Sequence, residues 1–190
     1  DAGRMADFSE AVHGRLNWQD VVPGLADCAL RFDPDSVSHE EALAAVEAAL
    51  ADVSGADSAH GDAGKEHALS ATVDGPDVAM VAERLSLTGP DALADWLRAR
   101  TYRIALVGFQ PGFAYLDDCD PADLPDIERL KTPRQRVAAG SIGFLGGRAC
   151  LYSQDGPGGW PIIGRVEARL FDPYGDPPAL LSAGDRVRFR

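Results

Sequence analysis

The residues best suited to chemistry fall in three glycine- and proline-rich segments of the second half of the chain. The first is GFQPGFAYL, residues 108–116, which follows the apolar run YRIALV directly. A loop at the end of a strand is where binding groups commonly sit on a rigid scaffold. Gly108 and Gly112 let the backbone approach a ligand, Phe109, Phe113 and Tyr115 can wall a pocket, and Gln110 can hydrogen-bond its contents. The same residues also read as a tight turn whose aromatics plug the end of a barrel. The second segment, KTPRQRV at 131–137, runs into AAGS. Pro133 disfavours a helix, so Arg134 and Arg136 share one face of an extended stretch. Two guanidinium forks on one side suit a carboxylate or a phosphate. They read equally as solvated surface arginines, or as partners for the acidic stretch 117–128. In the third segment, QDGPGGWPIIGR at 154–165, Gly158 and Gly159 precede Trp160. A flexible backbone beside a flat ring can hold a planar amide or ureido group, and it can also be a turn capped by a packed tryptophan.

Several familiar chemistries are absent. Neither Lys65 nor Lys131 stands in a GxxxxGK[ST] nucleotide loop. Ser141 lacks the GxSxG elbow of a hydrolase nucleophile. Asp117, Asp118, Asp120, Asp123 and Asp126 lack the glycine and terminal glutamate of an EF-hand. The four histidines all precede residue 68, so the second half alone can build neither a Ser-His-Asp triad nor a histidine-rich metal site. Cys28, Cys119 and Cys150 form no CxxC pair, and no metal site is expected. No apolar run approaches the roughly 18 residues of a membrane span, and no leader opens the sequence, so a cytoplasmic location is expected.

The elements that must position these segments belong to a chain of 190 residues, long enough for one domain or two small ones. Residues 1–100 carry 7 Lys/Arg against 19 Asp/Glu, whereas residues 101–190 are balanced at 11 each. So acidic a front half repels phosphate backbones and excludes nucleic acid as a partner. Residues 5–17 read as a helix, Val21-Val22 as a short strand, and 25–32 as a strand with Cys28, Leu30 and Phe32 on one face. Residues 38–51 predict a helix opened by a Ser38–Glu41 capping box, with Leu43, Val46 and Leu50 as its buried stripe. This is a small α/β sandwich lacking its first strand. Residues 52–66 carry almost no bulky apolar side chain and read as a linker, which divides the chain into domains 1–66 and 67–190. The second domain starts with a strand over 67–73. Two helices follow, one with Val78, Val81 and Leu85 inward and one from Pro90 with Leu93, Trp96 and Leu97 inward. Beyond residue 101, 12 glycines and nine prolines punctuate short apolar stretches, which argues for a sandwich or barrel. Gly146-Gly147 marks a hairpin, and RVRFR a half-buried final strand.

Four motifs in this order, GFQPGFAYL, TPRQRVAAGSIG, DGPGGWPIIGR and LFDP…PPALLSAGDRVRF, resemble the Kip-inhibitor family. That family includes the B subunit of bacterial 5-oxoprolinase and many proteins labelled allophanate hydrolase subunit 1. The resemblance implies an α+β chain, with a small N-terminal α/β domain followed by a C-terminal cyclophilin-like barrel. It implies ATP-dependent opening of 5-oxoproline to glutamate, carried out with an antagonist-type partner (the oxoprolinase C component) and a third component. ATP would come with the partners, this chain carrying no cofactor of its own. The implied substrate-binding set is Gln110, Phe113, Tyr115, Arg134, Arg136, Ser141, Gly158, Gly159 and Trp160, with no catalytic group assigned. Arg134, Tyr115 and Trp160 would share one cleft, and replacing Arg134 would leave the fold intact. Two departures stand out: the opening strand of the family is absent, and Leu97 stands where many members carry a histidine five residues before Tyr102. Two other activities fit the same resemblance, half of a biotin-dependent urea or amide carboxyltransferase, or an inhibitor of a sensor histidine kinase.

Overall fold

The computed structural model describes residues 2–24, 27–55, 64–119 and 124–190. The chain divides into two compact units, Asp1–Ala63 and Gly64–Arg190. Most of the expected linker, Leu25 of the expected second strand, and Asp120 and Asp123 of the acidic stretch lie outside the described residues.

In the first unit, α1 (Ala2–His13) leads to an antiparallel pair, β1 (Asp20–Pro23) and β2 (Cys28–Arg31), and then to α2 (His39–Gly55). The capping box forms: the Glu41 N–H donates to Ser38 Oγ at 3.2 Å, and the Ser38 N–H donates to the Glu41 carboxylate at 2.8 Å. The alanine-rich sequence carries α2 four residues into the expected linker. The expected leucine stripe is corrected, because Leu43 and Leu50 are 53% and 49% exposed. Ala42 is buried instead, and Val46, Ala49 and Val53 join the cluster formed with Phe8 and Val12 of α1. These positions share a face one residue round from the leucines, and its alanines let the two helices approach closely.

The second unit begins with β3 (Glu66–Leu69) and β4 (Ala71–Thr72), followed by α3 (Val78–Arg84) and α4 (Pro90–Arg98). Strands β5 (Thr101–Val107), β6 (Ala114–Asp118), β7 (Arg134–Val137), β8 (Ser141–Leu145) and β9 (Arg148–Leu151) come next. The series ends with β10 (Gly156–Gly158), β11 (Ile162–Val166) and β12 (Arg186–Phe189). Eight strands pair in the order β3-β12-β5-β6-β9-β8-β11-β4. The two edge strands are halves of one segment interrupted at Ser70, so the sheet curls into a nearly closed barrel. Positive φ at both Gly146 (52°) and Gly147 (81°) makes the tight β8–β9 hairpin turn. Tyr102, Ile104, Leu116, Phe144, Leu151, Val187 and Phe189 fill the interior, joined by Val81, Leu93 and Leu97 from the helices. Leu97 is fully buried, so the place of the family histidine is a core position here. A separate antiparallel ribbon pairs β7 with β10, turning the GPG of the third motif into a short strand where a turn was expected.

Candidate functional site

Side chains along a strand alternate between its two faces. Ala114 and Leu116 of β6, and Ala149 and Leu151 of β9, point into the barrel. Phe113, Tyr115, Cys150 and Tyr152 therefore face outward, where they meet Val137, Trp160 and Ile162 in a second apolar cluster. The aromatics of the first motif thus line the outside of the barrel wall and do not plug its end. Phe113 packs on Tyr115, Tyr152 and Phe109 at ring-centroid distances of 4.8, 4.9 and 5.2 Å, and Tyr115 meets Trp160 at 5.9 Å. Phe109 is 64% exposed and sits at φ 73°, a conformation costly for a bulky residue. The chain thus holds a bare aromatic ring at the rim of the cluster.

The β7–β10 ribbon packs on this wall through close approaches at two glycines. A Cβ at Gly158 would lie 2.2 Å from the Tyr152 hydroxyl, and one at Gly156 would lie 2.2 Å from Gln110 Nε2. Arg134 pairs with Gly158 across the ribbon. Its Nη2 donates to Asp77 Oδ1 at 2.8 Å, while the other Asp77 oxygen accepts the Ile162 N–H at 2.6 Å. Asp77 thereby clamps the guanidinium to the barrel. Gly159 lies against Pro133, and its carbonyl accepts the Leu130 N–H at 2.8 Å, tying the loop before β7 to the Trp160 segment. Ser141 is buried at the start of β8, and its carbonyl accepts the Tyr152 N–H. Gln110, Phe113, Tyr115, Arg134, Ser141, Gly158, Gly159 and Trp160 are therefore gathered around Tyr152 and the ribbon. Arg136 is placed elsewhere: it is 80% exposed and donates two hydrogen bonds to Asp155. Neither arginine pairs with the acidic stretch among the described residues.

Burial pushes the Tyr152 phenol up to about 12, with Cys150 and Tyr115 adding to the shift and Arg129 and Arg134 opposing it. Burial likewise raises Tyr115 and drives the Cys150 thiol far up, so both stay protonated at neutral pH. The cluster is thus uncharged aromatic surface beside the Arg134–Asp77 ion pair, suited to a small planar ligand. Sequence reasoning missed three of its members. Tyr152 was legible in principle, since it stands two residues from Cys150 in an apolar run. Arg129, an exposed residue directly after the acidic stretch 117–128, stands outside the three motifs. Asp77 lies 57 residues from Arg134, and no local pattern connects them. No group of three or more His, Cys, Asp or Glu among the described residues could hold a metal ion. No helix among them is long and apolar enough to cross a membrane.

Fold and site together define the class: the chain belongs to the family described as the carboxyltransferase domain, subdomain C and D, whose model matches residues 2–181. It is 41% identical over 120 residues to the 5-oxoprolinase B subunit of Escherichia coli O157:H7, covering 60% of this chain and 51% of that protein. With the 5-oxoprolinase B subunit of Bacillus subtilis (strain 168) it is 36% identical over 115 residues, covering 60% and 47%. The match spans about half the length of these curated relatives. Among solved structures, TTHA0988 superposes on the whole chain with a TM-score of 0.79 at 29% identity, the match taking up 36% of that longer protein. The Kluyveromyces lactis urea amidolyase shares the fold at a TM-score of 0.81 and 18% identity, covering all of this chain and 13% of that one.

Proposed function

We propose that this chain is the B subunit of an ATP-dependent 5-oxoprolinase, a hydrolase that opens 5-oxoproline to glutamate. In this reading it is active only with the antagonist-type C component and a third component, in the cytoplasm, where its three free cysteines stay reduced. The identity to curated 5-oxoprolinase B subunits supports the activity. The observation that carries the site is the packing of Tyr115, Tyr152 and Trp160 into one aromatic cluster beside the ribbon that holds Arg134. A small cyclic amide with a carboxylate matches such a surface: the flat ring stacks on aromatic walls, and a guanidinium takes the anion. The residues here do not fit ATP. Lys65 and Lys131 precede strands β3 and β7, so no glycine-rich loop delivers a lysine to a helix N-terminus. ATP is therefore assigned to the partner subunits. Proton transfer is assigned to a partner as well, because His67, the one histidine of the second unit, is engaged by Asp185 at 2.9 Å.

The reading is tested by measuring glutamate release from 5-oxoproline and ATP with the partner subunits, with and without this chain. Turnover should fall to background when the chain is omitted, and undiminished turnover overturns the assignment. A second reading, half of a biotin-dependent urea or amide carboxyltransferase, is favoured by the fold shared with urea amidolyase. In that case a biotin-carrying protein co-purifies with the chain, and urea replaces 5-oxoproline as the substrate consumed.

A further inference from the structure

The first unit carries an apolar surface that its own core does not use. Leu43 and Leu50 of α2 are about half exposed, although both are large aliphatic side chains. They stand two turns of helix apart and so lie on one face. At the upstream end of that face, Leu43 joins Trp18, Leu30, Phe32, His39 and Val46 around an open pocket of about 160 Å³. A cavity of roughly 150 Å³ accommodates benzene, so this one has room for a leucine or phenylalanine side chain. Trp18 spends its indole N–H on the Val12 carbonyl at 2.9 Å, and its ring meets Phe32 edge-on at 6.3 Å. The tryptophan therefore offers the pocket apolar surface alone.

The charge around this surface has one sign. Residues 32–64 contain eight Asp/Glu and no Lys or Arg. Glu40 and Glu47 are exposed on the same helix face, one turn to either side of Leu43, so carboxylates and leucines alternate in the order Glu40, Leu43, Glu47, Leu50. Two of the three arginines in the first unit are engaged elsewhere: Arg15 pairs with Asp52, and Arg31 lies opposite Asp20 in the β1–β2 ladder. A second copy would bring the same carboxylates against these, and a phosphate-bearing surface would be repelled in the same way. A helix with apolar anchors at i, i+4 and i+7 and cations on its flanks matches both the leucine spacing and the charge.

We propose that this face of α2 docks a basic amphipathic helix presented by a partner protein. One large apolar anchor of that helix fills the pocket, a second lies along Leu50, and flanking lysines or arginines pair with Glu40 and Glu47. Apolar burial supplies the affinity, while the carboxylates set orientation and turn away acidic helices. The surface belongs to the first unit and the aromatic cluster to the second, so the inference stands apart from the chemistry proposed for that cluster.

The test titrates fluorescein-labelled peptides with the full chain and reads anisotropy. One peptide is a helix with leucines on one face and lysines flanking them, one carries glutamates in place of the lysines, and one scrambles the lysine peptide so that its apolar face is lost. The wild type is compared with Leu43→Ser/Leu50→Ser and with Glu40→Lys/Glu47→Lys, folding being checked by circular dichroism. The amphipathic lysine peptide should bind the wild type at least about tenfold more tightly than either control. The leucine variant should weaken that binding about tenfold, and the lysine variant should reverse the preference toward the glutamate peptide. Equal binding of the scrambled peptide, undiminished binding by the folded leucine variant, a lysine preference that survives in the lysine variant, or no binding at all overturns the proposal. Self-association of the wild type in sedimentation, lost in the leucine variant, assigns the face to a second copy and overturns it too. Should the leucine variant fail to fold, reversal of preference in the lysine variant decides alone.

Discussion

At the scale of single residues, burial decides which groups react. Cys150 is fully buried in the outer cluster, and burial holds its thiol protonated, whereas Cys119 is exposed. A thiol reagent at pH 8 should therefore modify Cys119 in the native protein and reach Cys150 only after denaturation, as peptide mapping of the labelled chain would show. Rapid native labelling of Cys150 would contradict its placement. Gly158 gives a second test. A Cβ there meets the Tyr152 hydroxyl at 2.2 Å and Val137 at 2.9 Å, so Gly158→Ala should destabilise the unit by roughly 1–3 kcal/mol in urea titrations. Unaltered stability would mean that the ribbon does not press on Tyr152. Arg134 departs from the expectation that its loss spares the fold. Its partner Asp77 has a side chain only 12% exposed, so removing the guanidinium strands a mostly buried carboxylate.

At the scale of elements, the strands were legible and their facing was not. RVRFR alternates with period two and forms β12 with Val187 and Phe189 buried, and the Gly146-Gly147 hairpin follows from glycine's access to positive φ. The leucine stripe of α2 failed because a one-residue rotation exchanges leucines for alanines, and only the neighbouring helix decides between them. The outward facing of Phe113, Tyr115 and Tyr152 likewise depends on which side of the wall closes into the barrel, a property of pairing that no local window contains. Barrel closure also uses a contact distant in sequence. Asp185 accepts hydrogen bonds from the Lys65 and Ser182 N–H groups at 2.9 and 3.0 Å and pairs with His67, joining β3 to the turn before β12. Asp185→Ala should cost roughly 2–4 kcal/mol by leaving these groups unsatisfied. A change below the error of chemical denaturation would show that β3 is held by pairing alone.

At the scale of the whole molecule, pH ties the parts together. Burial raises the phenols of Tyr102, Tyr115 and Tyr152, so the folded state keeps protons that the unfolded chain loses above the ordinary tyrosine value. A folded-state value above the unfolded one means full stability below pH about 10 and a decline as pH rises further, the Tyr152 share being lost toward about 12. Urea midpoints should therefore fall steadily above pH 10, less steeply in Tyr152→Phe, and a flat profile would contradict the burial of these rings. The charge of the first unit, 13 Asp/Glu against three Arg, was readable from composition. The motifs made a spatial grouping legible, since eight of the nine expected residues lie around Tyr152 and the ribbon. Centrally, this outer-wall site is held to act through Arg134 on the substrate of a 5-oxoprolinase. Steady-state glutamate release from 5-oxoproline by the complex of this chain, its partner subunits and ATP measures that directly, with wild type set against Arg134→Gln. We predict kcat/KM lower by roughly ten- to a hundredfold with the complex still assembled, and an unchanged kcat/KM in an assembled complex would contradict that role.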